Sequence, residues 1–179
     1  HTGAMTGSDS LHDSLFERLG IARCENLSSL VETLKILHFY SPLKSNKVLV
    51  LGASGGIGTA SIQLAKVMGL RTICAVGSED KAEYVKSLGG DEIVRYDIVD
   101  LKETVKELTG GKGVDIVIDP VGGEVSEQAL RATAFNGRLL VIGFANGQIP
   151  KISLNLTLVK GVSIVGVWWG RWTNTSPHE

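Results

Sequence analysis

A glycine-rich segment, Gly52–Gly58, is the part of the chain best suited to bind a diphosphate. The apolar run Val48–Leu51 leads directly into this segment, whose sequence is GASGGIG, and an amphipathic helix pattern follows. Residues without side chains let backbone N–H groups approach phosphate oxygens, and the first helical turn adds unpaired N–H donors and the positive end of the helix dipole. The spacing therefore predicts a buried strand, a phosphate-binding turn and a helix start.

Two further interpretations of the loop are open. A tight turn between strand and helix requires glycine for backbone reasons alone and binds nothing. Gly52, Gly56 and Gly58 also fit the Gly-x-x-x-Gly-x-Gly loop of short-chain dehydrogenases. Such enzymes need a tyrosine and a lysine four residues apart, and the pair Tyr40 and Lys44 lies upstream of the loop, which argues against that class.

Strand and helix patterns alternate along the chain and position the loop. Short β-branched runs predict strands at Ile21–Cys24, Lys47–Leu51, Arg71–Val76, Glu92–Tyr96, Val114–Asp119, Arg138–Phe144 and Val162–Trp168. Such alternation predicts right-handed βαβ units. The expected fold class is α/β: a doubly wound, mostly parallel, Rossmann-like sheet of six strands with an added N-terminal edge strand, in a single three-layer domain.

Three helical patterns between the strands carry specific expectations. The helix after the loop is predicted to bury the face Ile57, Ala60, Leu64 and Met68. Ser78 is expected to open the next helix, and Asp100 with Glu103 predicts a capping box for a third.

Bulk composition excludes several function classes. The 179 residues carry a net charge of −1 without a basic stripe, so neither nucleic acid nor a membrane is an expected partner. The histidines lack ligand spacing, so no metal site is expected. Cys24 and Cys74 are expected to be buried free thiols. With no visible secretion signal, they indicate a cytoplasmic protein.

From the loop onward, the sequence resembles a known family. Ala53, Gly55 and Gly58 fit the dinucleotide-binding fingerprint, with alanine in the first glycine position. Residues 47–170 resemble the cofactor domain of the zinc-independent quinone oxidoreductases, a branch of the medium-chain dehydrogenase/reductase family. The matching stretches are VLVLGASGGIGTASIQLAKVMG, KAEYVKSLGGDEIVRY, GGKGVDIVIDPVGG and GRLLVIGF.

The sequence favours NADP(H) as the dinucleotide. The second strand ends in Val76, Gly77 and Ser78, without the carboxylate that would repel a 2′-phosphate, although Glu79 and Asp80 follow and are a contrary sign. The resemblance implies that Lys81 and Tyr96 hold that phosphate, and that the loops at Asp119–Gly123 and Gly143–Ala145 flank the nicotinamide. The predicted cofactor-binding residues are Ala53, Ser54, Gly55, Gly56, Ile57, Gly58, Gly77, Ser78, Lys81, Tyr96, Val121, Gly143 and Phe144.

The resemblance also implies a catalytic GroES-like domain, which no part of the sequence resembles. No catalytic residue is therefore assigned, and the expectation is a cofactor domain in a truncated or recombined chain. The alternatives are an NADPH-dependent quinone or enone reductase completed by another chain, and a structural chimera that binds no ligand.

Residues 1–46 form a separate predicted segment, an α-β-α unit, and residues 47–179 form the dinucleotide-binding domain. The opening HTGAMTGSD and the following LFERLGIARCENLSSLVETLKIL are similar to the flavodoxin-like domain of NDP-forming acyl-CoA synthetases over residues 1–43. That resemblance would make His1 the phosphohistidine and the chain a chimera.

The last predicted strand, Val162–Trp168, suggests self-association. The strand is apolar on both faces and is expected at a sheet edge, where it could pair with a second copy. The resemblance implies the same arrangement, a homodimer with one continuous sheet.

Overall fold

The computed structural model describes residues 46–168. Expectations for Ile21–Cys24, His1 and the boundary at residue 46 concern residues outside this range or at its limit, and they stay predictions. The strands are β1 (Lys47–Leu51), β2 (Arg71–Val76), β3 (Glu92–Arg95), β4 (Val114–Asp119), β5 (Thr133–Val141) and β6 (Ser163–Gly166). The helices are α1 (Gly56–Val67), α2 (Glu79–Ser87), α3 (Leu101–Leu108), α4 (Glu124–Arg131) and α5 (Asn155–Lys160).

The described strands form one six-stranded sheet in the order β3-β2-β1-β4-β5-β6. All five pairings are parallel, and β1 lies at the centre, with Val50 opposite Cys74 on one side and Ile118 on the other. Successive strands are added towards one edge of the sheet from β1 to β3 and towards the other edge from β4 to β6. The strand order therefore reverses between β1 and β4, and open α/β sheets bind ligands at such a point. The predicted Rossmann-like fold is confirmed, and β6 lies at a sheet edge as expected.

Helices cover both faces of the sheet. On one face, Ile62 of α1 and Val85 of α2 pack with Val50, Cys74 and Val76. On the other face, Leu101 and Val105 of α3 and Leu130 of α4 pack with the strand residues Leu49 and Ile73 in a second buried cluster. The layers are helix, sheet and helix, and the apolar strands are buried on both sides, as parallel sheets require.

The predicted buried face of α1 is wrong. Ile57, Leu64 and Met68 are 45%, 63% and 69% exposed, whereas the helix buries Gly58, Ile62 and Ala65. The cause lies at Gly58, where the helix backbone lies against the backbone of the preceding loop and so fixes which side of α1 faces the sheet. Apolar residues lie on two neighbouring faces of this helix, and the contact at Gly58 turns the face with Ile62 and Ala65 towards the sheet in place of the predicted one.

Three strands also differ from their predicted bounds, and the smallest difference is in β3, which ends at Arg95 instead of Tyr96. β5 runs from Thr133 to Val141 instead of Arg138–Phe144, because an irregularity in the β4–β5 register lets Val114 pair with Thr133 and Ile116 with Arg138. β6 ends at Gly166, two residues before Trp168. Helix α5 was not expected from the sequence.

Local predictions elsewhere agree with the structure. Asp100 caps α3, its side chain accepting a hydrogen bond from the Glu103 backbone N–H at 2.8 Å. Ser78 is the N-cap residue of α2, although its side chain makes no capping bond. Cys74 is a buried free thiol. None of the helices within residues 46–168 has the length and apolar character needed to cross a bilayer.

Candidate functional site

The glycine loop joins β1 to α1 by a tight turn. Gly52 has a φ of +57°, and its carbonyl accepts a hydrogen bond from the Gly55 N–H at 2.9 Å. A Cβ on Gly58 would lie 2.4 Å from the Gly52 carbonyl oxygen and 2.6 Å from Ala53 Cα. No side chain fits there, so glycine at position 58 is what allows α1 to begin directly above the end of β1.

The N-terminus of α1 offers free hydrogen-bond donors to the site. Gly55 is the N-cap residue and supplies no side-chain cap, and the first turn contains no acidic residue. The N–H groups of this turn therefore lack side-chain acceptors, and the helix dipole places partial positive charge at the same point. This combination is suited to an anion such as a diphosphate.

A cavity of about 540 Å³ opens above this helix end. Its walls come from the glycine loop, from α2, from the end of β3 and from the loops that follow β4 and β5. The lining residues are Gly52, Ser54, Gly55, Gly56, Ile57, Gly58, Lys81, Tyr96, Pro120, Val121, Ala145 and Asn146. The structure thus brings most of the predicted cofactor-binding residues around one space.

The other predicted residues lie beside the cavity. Ala53 is fully buried, and its N–H donates to the Ala75 carbonyl at 3.2 Å, so it supports the loop from below. Gly77 lies under the Tyr96 ring, and Ser78 is the N-cap of α2. Gly143 and Phe144 follow β5 and contact the loop after β4.

Lys81 and Tyr96 line the same cavity as the glycine loop. Lys81 is exposed and lies in the first turn of α2. Tyr96 is half-buried and follows β3, its N–H donating to the Val76 carbonyl at 3.1 Å. Burial, with a smaller contribution from the Asp97 charge, raises the pKa of the Tyr96 hydroxyl, so it stays a neutral donor. A cation and a hydroxyl in this cavity are suited to a phosphate monoester.

Asp119, at the end of β4, shapes the adjoining loop. Its carboxylate is buried, with Oδ1 accepting from the N–H groups of Val121 and Gly122 at 2.9 Å each, and Oδ2 accepting from the Ser126 hydroxyl. These bonds satisfy the buried charge and hold Val121 at the cavity wall.

Backbone hydrogen bonds join the loop after β4 to the loop after β5 at several points. The Ala145 N–H donates to the Pro120 carbonyl and the Asn146 N–H to the Val121 carbonyl, both at 3.0 Å. The Gly123 N–H donates to the Gln148 carbonyl at 2.9 Å. Asn146 is the lining residue that sequence reasoning missed. Its position just after the predicted loop Gly143–Ala145 was the available signal.

A cluster of charges surrounds the N-terminus of α2. Arg95, the last residue of β3, forms ion pairs with Glu79 and with Asp97. Its Nε and Nη2 donate to the two carboxylate oxygens of Asp97 at 3.1 Å and 2.6 Å, and its Nη1 donates to Glu79 Oε2. The guanidinium lowers the pKa of Asp97, mainly through their hydrogen bonds, so this carboxylate stays charged where it meets Arg95.

Residues 56–178 match the family described as Zinc-binding dehydrogenase. The chain belongs to that family. The resemblance of residues 47–170 to the cofactor domain of medium-chain dehydrogenases and reductases is confirmed by this match. A zinc site does not accompany it in the described part of the chain, because residues 46–168 contain no group of three or more His, Cys, Asp or Glu that could hold a metal ion.

Relatives and solved structures agree with this placement. Quinone oxidoreductase-like protein 2 from Bos taurus is 42% identical over 126 residues, which are 70% of this chain and 36% of that protein. A quinone oxidoreductase from Pseudomonas syringae superimposes with a TM-score of 0.68 at 30% identity, covering 79% of this chain and 46% of that one. The Escherichia coli quinone oxidoreductase, solved with NADPH, gives 0.66 at 28% identity, covering 78% and 45%. The chain thus spans less than half the length of these relatives.

Proposed function

We propose that the domain binds NADP(H) in the cavity between the glycine loop and Lys81. One observation carries the proposal: the same cavity is lined by an uncapped helix N-terminus and by a lysine and a tyrosine. An anion site beside a second site suited to a phosphate monoester matches a dinucleotide that carries a 2′-phosphate. The NADPH held by the Escherichia coli relative supports the same cofactor.

Each wall of the cavity has a separate role in this proposal. The glycine loop and the first turn of α1 bind the diphosphate. Lys81 and Tyr96, with Ser78 beside them, bind the 2′-phosphate. Val121 and the loop Gly143–Asn146 orient the nicotinamide and exclude water from one side of it. When bound, the cofactor supplies a hydride, and the residues described here position it.

A fluorescence titration with NADPH tests the binding, and charge reversal at Lys81 tests the site. Lys81→Glu is expected to weaken NADPH binding at least about tenfold and NADH binding far less, because the carboxylate would repel the 2′-phosphate. Lys86→Glu is the matched control, since it makes the same charge change in the last turn of the same helix. Absence of any fluorescence change at millimolar NADPH would mean that the domain binds no cofactor, as expected of a structural chimera.

A second candidate function is NADPH-dependent reduction of a quinone or enone by the chain together with another chain. The names of the relatives favour it, since they include quinone oxidoreductase-like protein 2 and 2-haloacrylate reductase. NADPH oxidation in the presence of a simple quinone tests this activity. A rate equal to that without protein would reject turnover and leave binding as the function of the isolated chain.

We also infer that β6 pairs with β6 of a second copy. This strand lies at the sheet edge, and Ile164, Val165 and Trp168 are 37%, 39% and 72% exposed, which is unusual for an apolar edge without a partner. Light scattering during size exclusion should give twice the chain mass. Val165→Lys should lower that mass, whereas Val67→Lys, on the exposed side of α1, should leave it unchanged. A monomeric wild-type chain would contradict the inference.

The similarity of residues 1–43 to acyl-CoA synthetases leads to a last proposal, that the chain is a chimera with a phosphohistidine at His1. Incubation with labelled nucleoside triphosphate should then label the wild-type chain and leave His1→Ala unlabelled. An unlabelled wild-type chain would reject phosphotransfer by this residue.

A further inference from the structure

Two charged residues outside the cavity wall lie next to the proposed 2′-phosphate site. Glu79 is the first residue of α2, directly after Ser78 and two positions before Lys81. Arg95 ends β3, directly before Tyr96, and lies opposite Val76 in the strand register. The Arg95–Glu79 ion pair therefore connects the two elements that supply Lys81 and Tyr96.

Glu79 poses an electrostatic problem for the proposed ligand. A carboxylate in the first turn of α2 adds negative charge within a few residues of the position where a phosphate dianion would bind. Like charges close to each other disfavour binding, and salt screens this repulsion only in part at moderate ionic strength. A domain that selects NADP(H) needs a means to offset this charge.

We propose that Arg95 is a cofactor-selectivity residue: by pairing with Glu79 it offsets the carboxylate charge and so permits the 2′-phosphate of NADP(H) beside Lys81. The inference rests on the proposed function and deepens it. It assigns the choice of NADP(H) over NAD(H) to a residue that does not line the cavity.

The geometry favours an electrostatic role for Arg95 over a structural one. The guanidinium binds Asp97 through two nitrogens at 2.6 Å and 3.1 Å, which fixes its orientation while Nη1 reaches Glu79. The Glu79 side chain is 65% exposed, and ion pairs with so much solvent access contribute little to folding. Arginine stays charged at every practical pH, so the compensation is permanent.

Four variants separate the possible roles of Arg95, each titrated with NADPH and with NADH. Arg95→Met should raise the Kd for NADPH about three- to tenfold and leave the Kd for NADH within about twofold, because only NADPH carries the 2′-phosphate. Arg95→Lys retains the charge and should resemble the wild type. Glu79→Gln should tighten NADPH binding. The double variant Glu79→Gln with Arg95→Met should return close to the wild-type affinity, because the net charge of the group formed by Glu79, Arg95 and Asp97 is then the same as in the wild type.

The matched control is Arg71→Met. Arg71, the first residue of β2, forms an ion pair with Glu92, the first residue of β3, at the end of these strands opposite to Arg95. The net charge of the chain changes equally in both variants, so Arg71→Met should leave both affinities unchanged. In about 1 M salt the effect of Arg95→Met should shrink towards the wild-type value, since screening weakens the repulsion.

The outcomes distinguish this inference from the proposed function. Wild-type chain that binds neither dinucleotide would overturn both. If the wild type binds NADPH, equal losses for NADPH and NADH in Arg95→Met would show a structural role and overturn only the inference. Failure of the double variant to recover would show that Arg95 itself binds the phosphate, and an Arg71→Met effect of equal size would show a general charge effect. Either of these results would also overturn the inference.

Discussion

The Tyr96 ring packs against Gly77, so closely that a Cβ on Gly77 would stand 3.2 Å from the Tyr96 hydroxyl oxygen. Gly77 does not have a positive φ, so its backbone conformation is open to any residue. The glycine is favoured here for space: an added Cβ would make the ring shift by a few tenths of an ångström, and a larger side chain would displace the tyrosine from the cavity wall. The end of β2 thus controls the position of a side chain carried by β3.

Gly77→Val is therefore expected to weaken NADPH binding about tenfold while costing only about 1 kcal/mol of folding free energy, since the half-buried ring can move towards solvent. A Tyr96→Ala background provides the control. Once the ring is absent, Gly77→Val should add almost nothing, and the two substitutions should be strongly non-additive. Additive losses in the titration would show that Gly77 serves the cofactor in some other way.

Gly58→Ala is expected to destabilise the fold itself. The added Cβ would lie 2.4 Å from the Gly52 carbonyl oxygen and 2.7 Å from the Ala53 carbonyl carbon, and all these atoms belong to the backbone. We expect a loss of about 3 kcal/mol in urea unfolding, together with loss of NADPH binding. Gly166→Ala is the control, because a Cβ there meets nothing within 4 Å. Equal stability of the two variants would contradict the proposed close packing.

The Asp119 carboxylate is expected to act through its acceptor oxygens. Asp119→Leu would leave the N–H groups of Val121 and Gly122 without their acceptor, at a cost of about 3 kcal/mol or more. Asp119→Asn keeps one oxygen for both N–H groups, and its amide can donate to the Ser126 hydroxyl, so a loss of about 1 kcal/mol is expected. Urea unfolding measures both. If the asparagine variant were as unstable as the leucine variant, the charge itself would be the essential property.

Cys74 should be unreactive in the folded protein. Its thiol should also make the free energy of unfolding decrease as the pH rises in the alkaline range. Burial raises the pKa of its thiol to about 11, with the Asp91 charge adding to the effect and a hydrogen bond with Thr72 opposing it. The pKa of this thiol is higher in the folded than in the unfolded state, so the protonated thiol contributes to the free energy of unfolding. This contribution is complete below about pH 8.5 and is lost as the pH rises towards the pKa of the folded state.

Two measurements check this thiol. In a Cys24→Ser background, a thiolate-directed reagent at about pH 8 should label Cys74 only after urea is added. The free energy of unfolding should fall by about 2 kcal/mol between about pH 8.5 and 11 relative to a Cys74→Ala chain, which lacks this titration. Rapid labelling of the native protein would contradict the burial on which both expectations depend.

The sequence predicted the fold and the main loop because both depend on local patterns. Strand runs such as Arg71–Val76 and the glycine spacing of residues 52–58 are readable within a few residues, and the parallel order follows from their alternation with helices. The predicted pair Lys81 and Tyr96 does line one cavity, because each follows a strand at the carboxyl edge of the sheet.

Features that depend on contacts between distant segments escaped prediction. The orientation of α1 depends on backbone packing at Gly58, which apolar periodicity does not encode. Asn146 belongs to no motif, and it reaches the cavity because its loop is bonded to the one after β4. The Arg95–Glu79 pair joins residues 16 positions apart, and in the sequence alone Glu79 read only as a sign against NADP(H).

The contact at Gly58 has a consequence for how this site can change. The loop beside the proposed diphosphate meets the start of α1 through main-chain atoms at Gly58, and the neighbouring positions Ser54, Gly56 and Ile57 line the cavity. Substitutions at those three positions can alter the surface that a ligand meets while the path of the chain stays the same. The path of the backbone is thus set at Gly52, which has a positive φ, and at Gly58, which leaves no room for a side chain, whereas Ser54, Gly56 and Ile57 can vary and change what a ligand contacts.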